Sequence, residues 1–266
     1  MYRKILYRVM LSPPKNKRED LMVLVSAGMP KSGTGYIYNL LNDMFVLSGM
    51  CDAREIKRRY KLDSILHEYN CNIRDLTFLK LSIVVLLSYL QRPFVVKTHR
   101  RPTLAAKLFL RLGLIKVVYI YRDPRDVLLS DIDHSKERMK HEDTRKLAGP
   151  TDFHSAFQNV KRVINTWRLW KQCSGAYLLR YEDLMSNPAD EMKKIIAYLN
   201  HAISSDHIDT LLKRYDKSSL DKHQKNYLHF NKGIVSRYRQ EMQEEHRRIF
   251  KEQIGDTLLQ MGYPLD

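Results

Sequence analysis

The sequence predicts an α/β protein: a three-layer, doubly wound parallel sheet flanked by helices, with a P-loop-like turn after its first strand. Three observations carry this. Short apolar runs of strand length recur at residues 21–27, 94–98, 116–121 and 176–180. Stretches of helical periodicity separate them, and alternation of strand and helix implies a parallel sheet. The first run passes directly into a turn rich in Gly, Pro and Ser, from Gly28 to Gly35.

In chain order, residues 12–20 (SPPKNKRED) read as a solvated arm with Pro-Pro as breaker. The expected organisation is a basic N-terminal arm over 1–20 and a single domain over 21–266, a length that suits one sizeable core. The first strand ends in small residues, as a strand buried on both faces does. An amphipathic helix follows from about 35 to 47. The pattern over 73–91 contains the longest apolar run, 78–90. It is broken by Lys80 and is shorter than the roughly 20 residues a membrane span needs, so it reads as a buried helix. Helices are expected at 103–112, 124–139, 153–173 and 187–199, and a long charged helix at 236–261. Residues 136–155, charged and carrying Gly149-Pro150, read as a mobile loop.

The net charge is +16, from 46 Lys and Arg against 30 Asp and Glu. Such an excess attracts polyanions: nucleic acid, anionic membrane, acidic polysaccharide or multiply phosphorylated nucleotides. A soluble protein with a basic surface fits the charge equally well. The 44% hydrophobic content excludes a disordered chain. Cys51, Cys71 and Cys173 are odd in number and form no CxxC pair, which argues against a disulfide framework and a cysteine-based zinc site. Arg8 interrupts the apolar start of the chain, so no targeting or transmembrane segment is expected, and the expected location is cytoplasmic.

Ligands of parallel α/β sheets sit beyond the carboxyl ends of the strands. Here three such ends carry anion-binding side chains: Lys31, Ser32 and Thr34 after the first; Lys97, Thr98 and His99 at the second; Arg122 after the third, with Ser130 two helical turns on. The first loop is similar to a Walker A motif, GxxxxGK[ST], but with a difference. Gly28 and Gly33 keep its spacing, while Thr34 stands in the lysine position and Gly35 in that of the magnesium-binding hydroxyl. The lysine has moved to Lys31. An anionic, phosphate-type ligand is expected, and a Mg·ATP kinase is the rival enzyme reading. Asp123-Pro124 reads as an N-cap followed by Pro at the first helical position, although Asp123 could also pass for a metal-binding strand-end carboxylate. Each feature has a plainer reading. A Gly-rich strand–helix turn can be only a turn, a lone His at a strand end is usually structural, and Arg122 could simply pair with a carboxylate. Trp167 and Trp170, three apart on a helix, read as core, and Glu182 and Asp183 as caps of the next segment.

These residues, taken together, resemble the sulfotransferases that use 3′-phosphoadenosine 5′-phosphosulfate (PAPS), in particular the cytosolic-type branch with its P-loop-like fold. Pro30-Lys31-Ser32-Gly33-Thr34 resembles the family's 5′-phosphosulfate loop, and Tyr121-Arg122-Asp123-Pro124-Arg125-Asp126-Val127 with Ser130 its 3′-phosphate motif. Lys97-Thr98-His99 resembles the segment whose His is the family's base. Arg180-Tyr181-Glu182-Asp183-Leu184 with Asn187-Pro188 matches a further family segment, and Asn231-Lys232-Gly233 the late motif that closes over the 3′-phosphate. The matches run in family order from about 23 to 233. Two departures stand out: Gly35-Tyr36 where Thr-Trp is frequent, and Asn231 where Arg is usual.

The resemblance implies in-line sulfuryl transfer from PAPS, releasing PAP, to an acceptor hydroxyl or amine. It implies His99 as general base and Lys31 and Lys97 as catalytic cations. Ser32, Gly33, Thr34, Gly35 and Tyr36 would hold the donor with Tyr181. Arg122, Ser130 and Asn231-Lys232-Gly233 would hold its 3′-phosphate. No metal is required on this reading, and the expected partner is a small-molecule or lipid acceptor rather than a sugar or protein. A rival of another class is a basic nucleic-acid-binding protein. The cations are spread along the chain without a nucleic-acid motif, so no nucleic-acid partner is expected.

Overall fold

The structure, a computed structural model, describes residues 23–140, 149–200, 205–215 and 234–266. The expected basic arm and the Asn231-Lys232-Gly233 segment lie outside the described residues. Six strands form one sheet in the order β2-β3-β4-β1-β5-β6. They are β1 (Val23–Gly28), β2 (Leu66–His67), β3 (Asn72–Ile73), β4 (Phe94–Thr98), β5 (Ile115–Tyr121) and β6 (Ala176–Arg180). β1 pairs in parallel with β4 and β5, and β5 with β6. All four expected strands are present. The sheet is not wholly parallel, however. β2 and β3 form a two-residue antiparallel ladder at one edge, and β3 joins β4 in parallel at Asn72 opposite Lys97. Two-residue strands are too short to show a period of two, so the pattern gave no sign of them.

The helices are α1 (Thr34–Leu47), α2 (Ala53–Tyr60), α3 (Phe78–Leu90), α4 (Leu104–Arg111), α5 (Pro124–Lys140) and α6 (Phe153–Lys171). After β6 come α7 (Tyr181–Ser186), α8 (Pro188–Leu199), α9 (Ser205–Arg214), α10 (Tyr238–Glu241) and α11 (Glu244–Gln260). Three expectations shift. The helix expected from 73 starts at Phe78, because 72–73 belong to the sheet. α5 continues to Lys140, into the region expected to be loop. The C-terminal helix is broken by an extended Met242 and kinked at Ile254.

Local chemistry explains the boundaries. Asp52 and Thr103 cap α2 and α4 by accepting from the backbone N–H groups of Arg54 and Ala106. Asp152 caps α6 through Ser155 N–H, and Pro188 opens α8. β1 is buried at every residue because helices cover both faces of the sheet. Trp167 and Trp170 pack beneath α6 as core, each 1% exposed, with Trp170 Nε1 donating to Arg100 O at 2.9 Å. Each buried aromatic of this size contributes roughly 1.5–3 kcal/mol. The chain leaves central β1 toward β4 and later crosses to β5 on its other side. The strand order therefore reverses at β1, and a ligand crevice belongs at its carboxyl end.

Candidate active site

The sheet register brings the three predicted strand ends to one level. Ala27 lies opposite Thr98, and Gly28 opposite Ile120. The loop after β1 therefore leaves between His99 on one side and Arg122 on the other. Two bonds fasten it: Met29 N–H donates to Ile120 O at 2.9 Å, and His99 Nδ1 lies 3.0 Å from Gly28 O.

The loop is a concave nest of backbone amides. Lys31 (φ 67°) and Gly33 (φ 71°) both sit in the left-handed region around Ser32. For Gly33 this is free of strain; for Lys31 it costs roughly 1 kcal/mol or more. Close approach also fixes the glycines. A Cβ on Gly28 would meet Ile120 Cγ2 at 2.5 Å and Thr34 Cγ2 at 2.7 Å, and one on Gly33 would meet the Tyr181 ring at 2.8 Å. Gly33 supplies no side-chain cap to α1, and the first turn of α1 holds no acidic residue. Its N–H groups and the positive end of its dipole are left for an anion. Ser32 is fully buried, and its hydroxyl has no partner among the described residues. An orphaned buried hydroxyl costs about 1–3 kcal/mol, which an anionic oxygen at the loop would recover. The loop thus fits a phosphosulfate group. Tyr36 is buried and meets Tyr215 edge-on at 5.9 Å.

His99 is the centre of the β4 side. A carbonyl oxygen can only accept, so the bond to Gly28 O assigns the proton to Nδ1 and leaves the Nε2 lone pair unprotonated. Desolvation, reinforced by Lys97, lowers the His99 pKa to about 4, so the ring is neutral near pH 7. This differs from the near-neutral value of an unperturbed histidine. Lys97 is 5% exposed, and burial lowers its pKa to about 8 against the opposing field of Glu68. Lys31 is likewise lowered to about 8 by burial; on α5, Asp131 opposes this shift and Arg138 adds to it. Thr98 braces the strand end, since its hydroxyl donates to Ile73 O at 3.0 Å and accepts from Arg100 N–H.

On the β5 side Arg122 is buried among partners. It donates to Asp126 Oδ2 at 2.9 Å and to Ile234 O at 2.6 Å, and lies 4.6 Å from the Tyr181 ring centre. Its buried Nε has no partner among the described residues. Ser130 is buried on α5. Residues 31–34, 97–99, 122 and 181 therefore meet around the carboxyl end of β1, linked by His99 to Gly28, Arg122 to Lys31 O and Tyr181 to Gly33 and Arg122. Asp123 accepts from Arg125 N–H at 2.9 Å and from its guanidinium at 3.0 and 2.8 Å, which makes it a helix cap and ion-pair partner. Glu182 differs from the capping role expected of it. It is buried, accepts from Asp123 N–H at 3.1 Å and from Tyr263 hydroxyl at 2.8 Å, and so ties β5 to the C-terminal segment.

Sequence reasoning gave no role to Asp126, which it quoted only within its motif, and missed Asp131 and Glu68. Asp126, in the first turn of α5, stands four residues after Arg122, a spacing that could have revealed the pair. Glu68 reaches Lys97 and His99 only through the edge hairpin, which leaves no local signal.

A sequence profile described as "Sulfotransferase domain" matches residues 20–262. The chain belongs to the sulfotransferase family. Sulfotransferase 1B1 of Mus musculus is 25% identical over 197 residues, 71% of this chain and 62% of that protein. Sulfotransferase 1 family member D1 of Rattus norvegicus is 28% identical over 204 residues, 71% of this chain and 62% of that protein. The chain thus spans less than two thirds of the length of these curated relatives. Among solved structures, mouse sulfotransferase SULT7A1 complexed with PAP aligns over 96% of this chain and 89% of its own, with TM-score 0.58 and 13% identity. Retinol dehydratase complexed with retinol and PAP aligns over 91% and 82%, with TM-score 0.57 and 19% identity. At such identities the likeness is one of fold. No described helix is long and apolar enough to cross a membrane.

Proposed function

We propose that this chain transfers a sulfuryl group from PAPS to an acceptor hydroxyl or amine, with His99 as general base. The observation that carries this is the His99 geometry: Nδ1–H held on Gly28 O, with the Nε2 lone pair left at a strand end beside two partly desolvated lysines. When bound, PAPS supplies a sulfuryl group activated by its phosphate leaving group, displaced in line and released as PAP. His99 Nε2 receives the acceptor proton. Lys31 and the loop amides hold the charge that grows on the leaving group, and Lys97 holds sulfuryl or phosphate oxygens. These donors are fixed before reaction, so little reorganisation is needed. Arg122 and Ser130 take the 3′-phosphate, and the 231–233 segment is assigned to the same phosphate. On this reading the lysines do the work of a metal, and none is required.

The acceptor is proposed to be a small molecule or lipid. Retinol dehydratase, a fold relative, holds retinol and PAP, in keeping with an apolar acceptor. A cytoplasmic location completes the proposal, in keeping with cysteines that form no disulfide among the described residues. The test is a thermal shift with PAP, Mg·ATP and AMP. A ligand at about a hundred times its Kd stabilises a fold by about 2.7 kcal/mol. A large shift with PAP in metal-free buffer is expected. A shift with Mg·ATP and none with PAP overturns the reading in favour of a phosphotransferase.

A further inference from the structure

From Leu76 through Arg122 the chain holds no Asp or Glu, while it holds Lys and Arg throughout. Its strands β4 and β5 are buried in the sheet, and its helices α3 and α4 carry exposed residues. Its helices α3 and α4 are joined at their N-termini by Thr103 Oγ1 donating to Leu76 O at 2.5 Å, and further along by Phe78 meeting Phe109 edge-on at 5.4 Å. Both N-termini follow strands that end at the active-site crevice, so the joined corner lies at its rim, with Leu104 five residues past His99.

This face is apolar as well as basic. Leu104 is 86% exposed, Phe78 61%, Leu112 60% and Leu108 46%. Leu104, Leu108 and Leu112 recur every four residues, so they form one stripe along α4 and its C-cap. The α4 packing against the core is made by Ala106, Phe109 and Leu110, which are buried, so the stripe is a second, outward apolar surface. Lys107 and Arg111 flank it, and Arg100 and Arg101 stand exposed at the rim. The nearest preceding carboxylate, Asp75, is paired with Lys80 at 3.3 Å.

We propose that the α3–α4 face docks on an anionic lipid surface, leucines in the interface and cations against the headgroups. Charge selects this occupant. An apolar protein partner would explain the leucines but not two successive helices that carry Lys and Arg and no carboxylate of their own. A bilayer rewards both, since each basic residue near an anionic surface is worth about fivefold in partitioning and exposed leucines bury area in the acyl boundary. Docking would turn the rim of the crevice toward the bilayer. The docking stands independently of the sulfotransferase reading; only the idea that it presents a lipid-borne acceptor rests on that reading.

The test is co-sedimentation of the full chain with phosphatidylcholine vesicles, with and without about a third phosphatidylserine, in the absence of PAPS or acceptor. Binding to the anionic vesicles alone is expected, weakening as salt is raised. Lys107→Glu with Arg111→Glu should lower partitioning by at least about tenfold, and Leu104→Ser with Leu108→Ser should lower it as well. All four positions are exposed, and an unchanged Tm without ligand shows that each variant is folded. Absence of binding to anionic vesicles overturns the proposal. So does binding that the face variants leave unchanged, which would place the contact elsewhere on the chain. A concentration-dependent dimer that Leu104→Ser dissociates, without vesicle binding, would overturn it in favour of a second copy. A missing PAP shift alongside intact vesicle binding would remove the sulfotransferase reading and leave the docking in place.

Discussion

The two flanks of the central strand use the same kinds of residue in opposite ways. On the β4 flank Lys97 and His99, and beside them Lys31 of the loop after β1, are partly desolvated, and burial lowers the pKa of all three. On the β5 flank, Arg122, Asp123, Arg125 and Asp126 are buried and held in ion pairs and hydrogen bonds. Arg125 closes a fork on Asp123 and also donates to Asp266 O at 2.8 Å; Asp126 accepts from Tyr238 N–H at 2.9 Å. One flank holds cations in search of an anion. The other is a cross-braced clamp that fixes the C-terminal segment against the sheet. Reactivity at a strand end comes from leaving a buried charge unanswered, and rigidity from answering it.

The largest effect that would break this comparison is at His99. His99→Ala is expected to lower turnover about 10²- to 10⁴-fold, while the thermal shift with PAP stays near that of the parent. Near-full turnover would move the base to another residue and remove the β4 flank's special role. The mirror experiment is Arg125→Met. Removing one partner of a buried pair strands the other, at about 3–5 kcal/mol, which in a chain of this size lowers Tm by roughly 10 °C. Turnover of the protein that remains folded should stay within a few-fold of the parent. A stable but inactive variant would mean that the clamp takes part in chemistry.

The difference between the flanks also marks how far the sequence could be read. Strands of five or more residues and their strand-end polar residues were legible, because apolar runs and Gly-rich turns are local signals. The Asp123-Pro124 cap was legible for the same reason. The edge ladder of Leu66–His67 and Asn72–Ile73 was not, and with it the approach of Glu68 to Lys97 and His99 was lost. Glu182 looked like a cap because its neighbours form a short helix. Its actual partners, Asp123 and Tyr263, are far off in sequence, and only the packed fold brings them together. The His99 pKa was also hidden, since burial and Lys97 set it and neither shows in the residue itself.

A smaller effect sharpens the role of Arg122. Arg122→Lys keeps a cation for Asp126 but gives up the planar fork that can serve a carboxylate and a phosphate together. Affinity for PAP is expected to fall about tenfold, in the range of a charged hydrogen bond, with AMP binding unchanged because AMP lacks the 3′-phosphate. Equal losses for both nucleotides would move Arg122 to the 5′ side.

The smallest effect lies in the pH dependence of kcat/KM, and it tests the unanswered charges directly. His99 works as a base only when neutral, so activity should rise as pH climbs through about 4 and then level off. Lys31 and Lys97 work only when charged. Their lowered values place the alkaline decline near pH 8, about two units below an ordinary lysine. Between pH 7 and 8 the change should be roughly twofold for each lysine. Lys31→Arg should make the alkaline limb shallower, because a guanidinium stays charged there. An acid limb near 6.5 would mean that His99 is solvated in the free enzyme. An alkaline limb near 10 would mean that the lysines are solvated or already answered, and the contrast between the flanks would then rest on geometry alone.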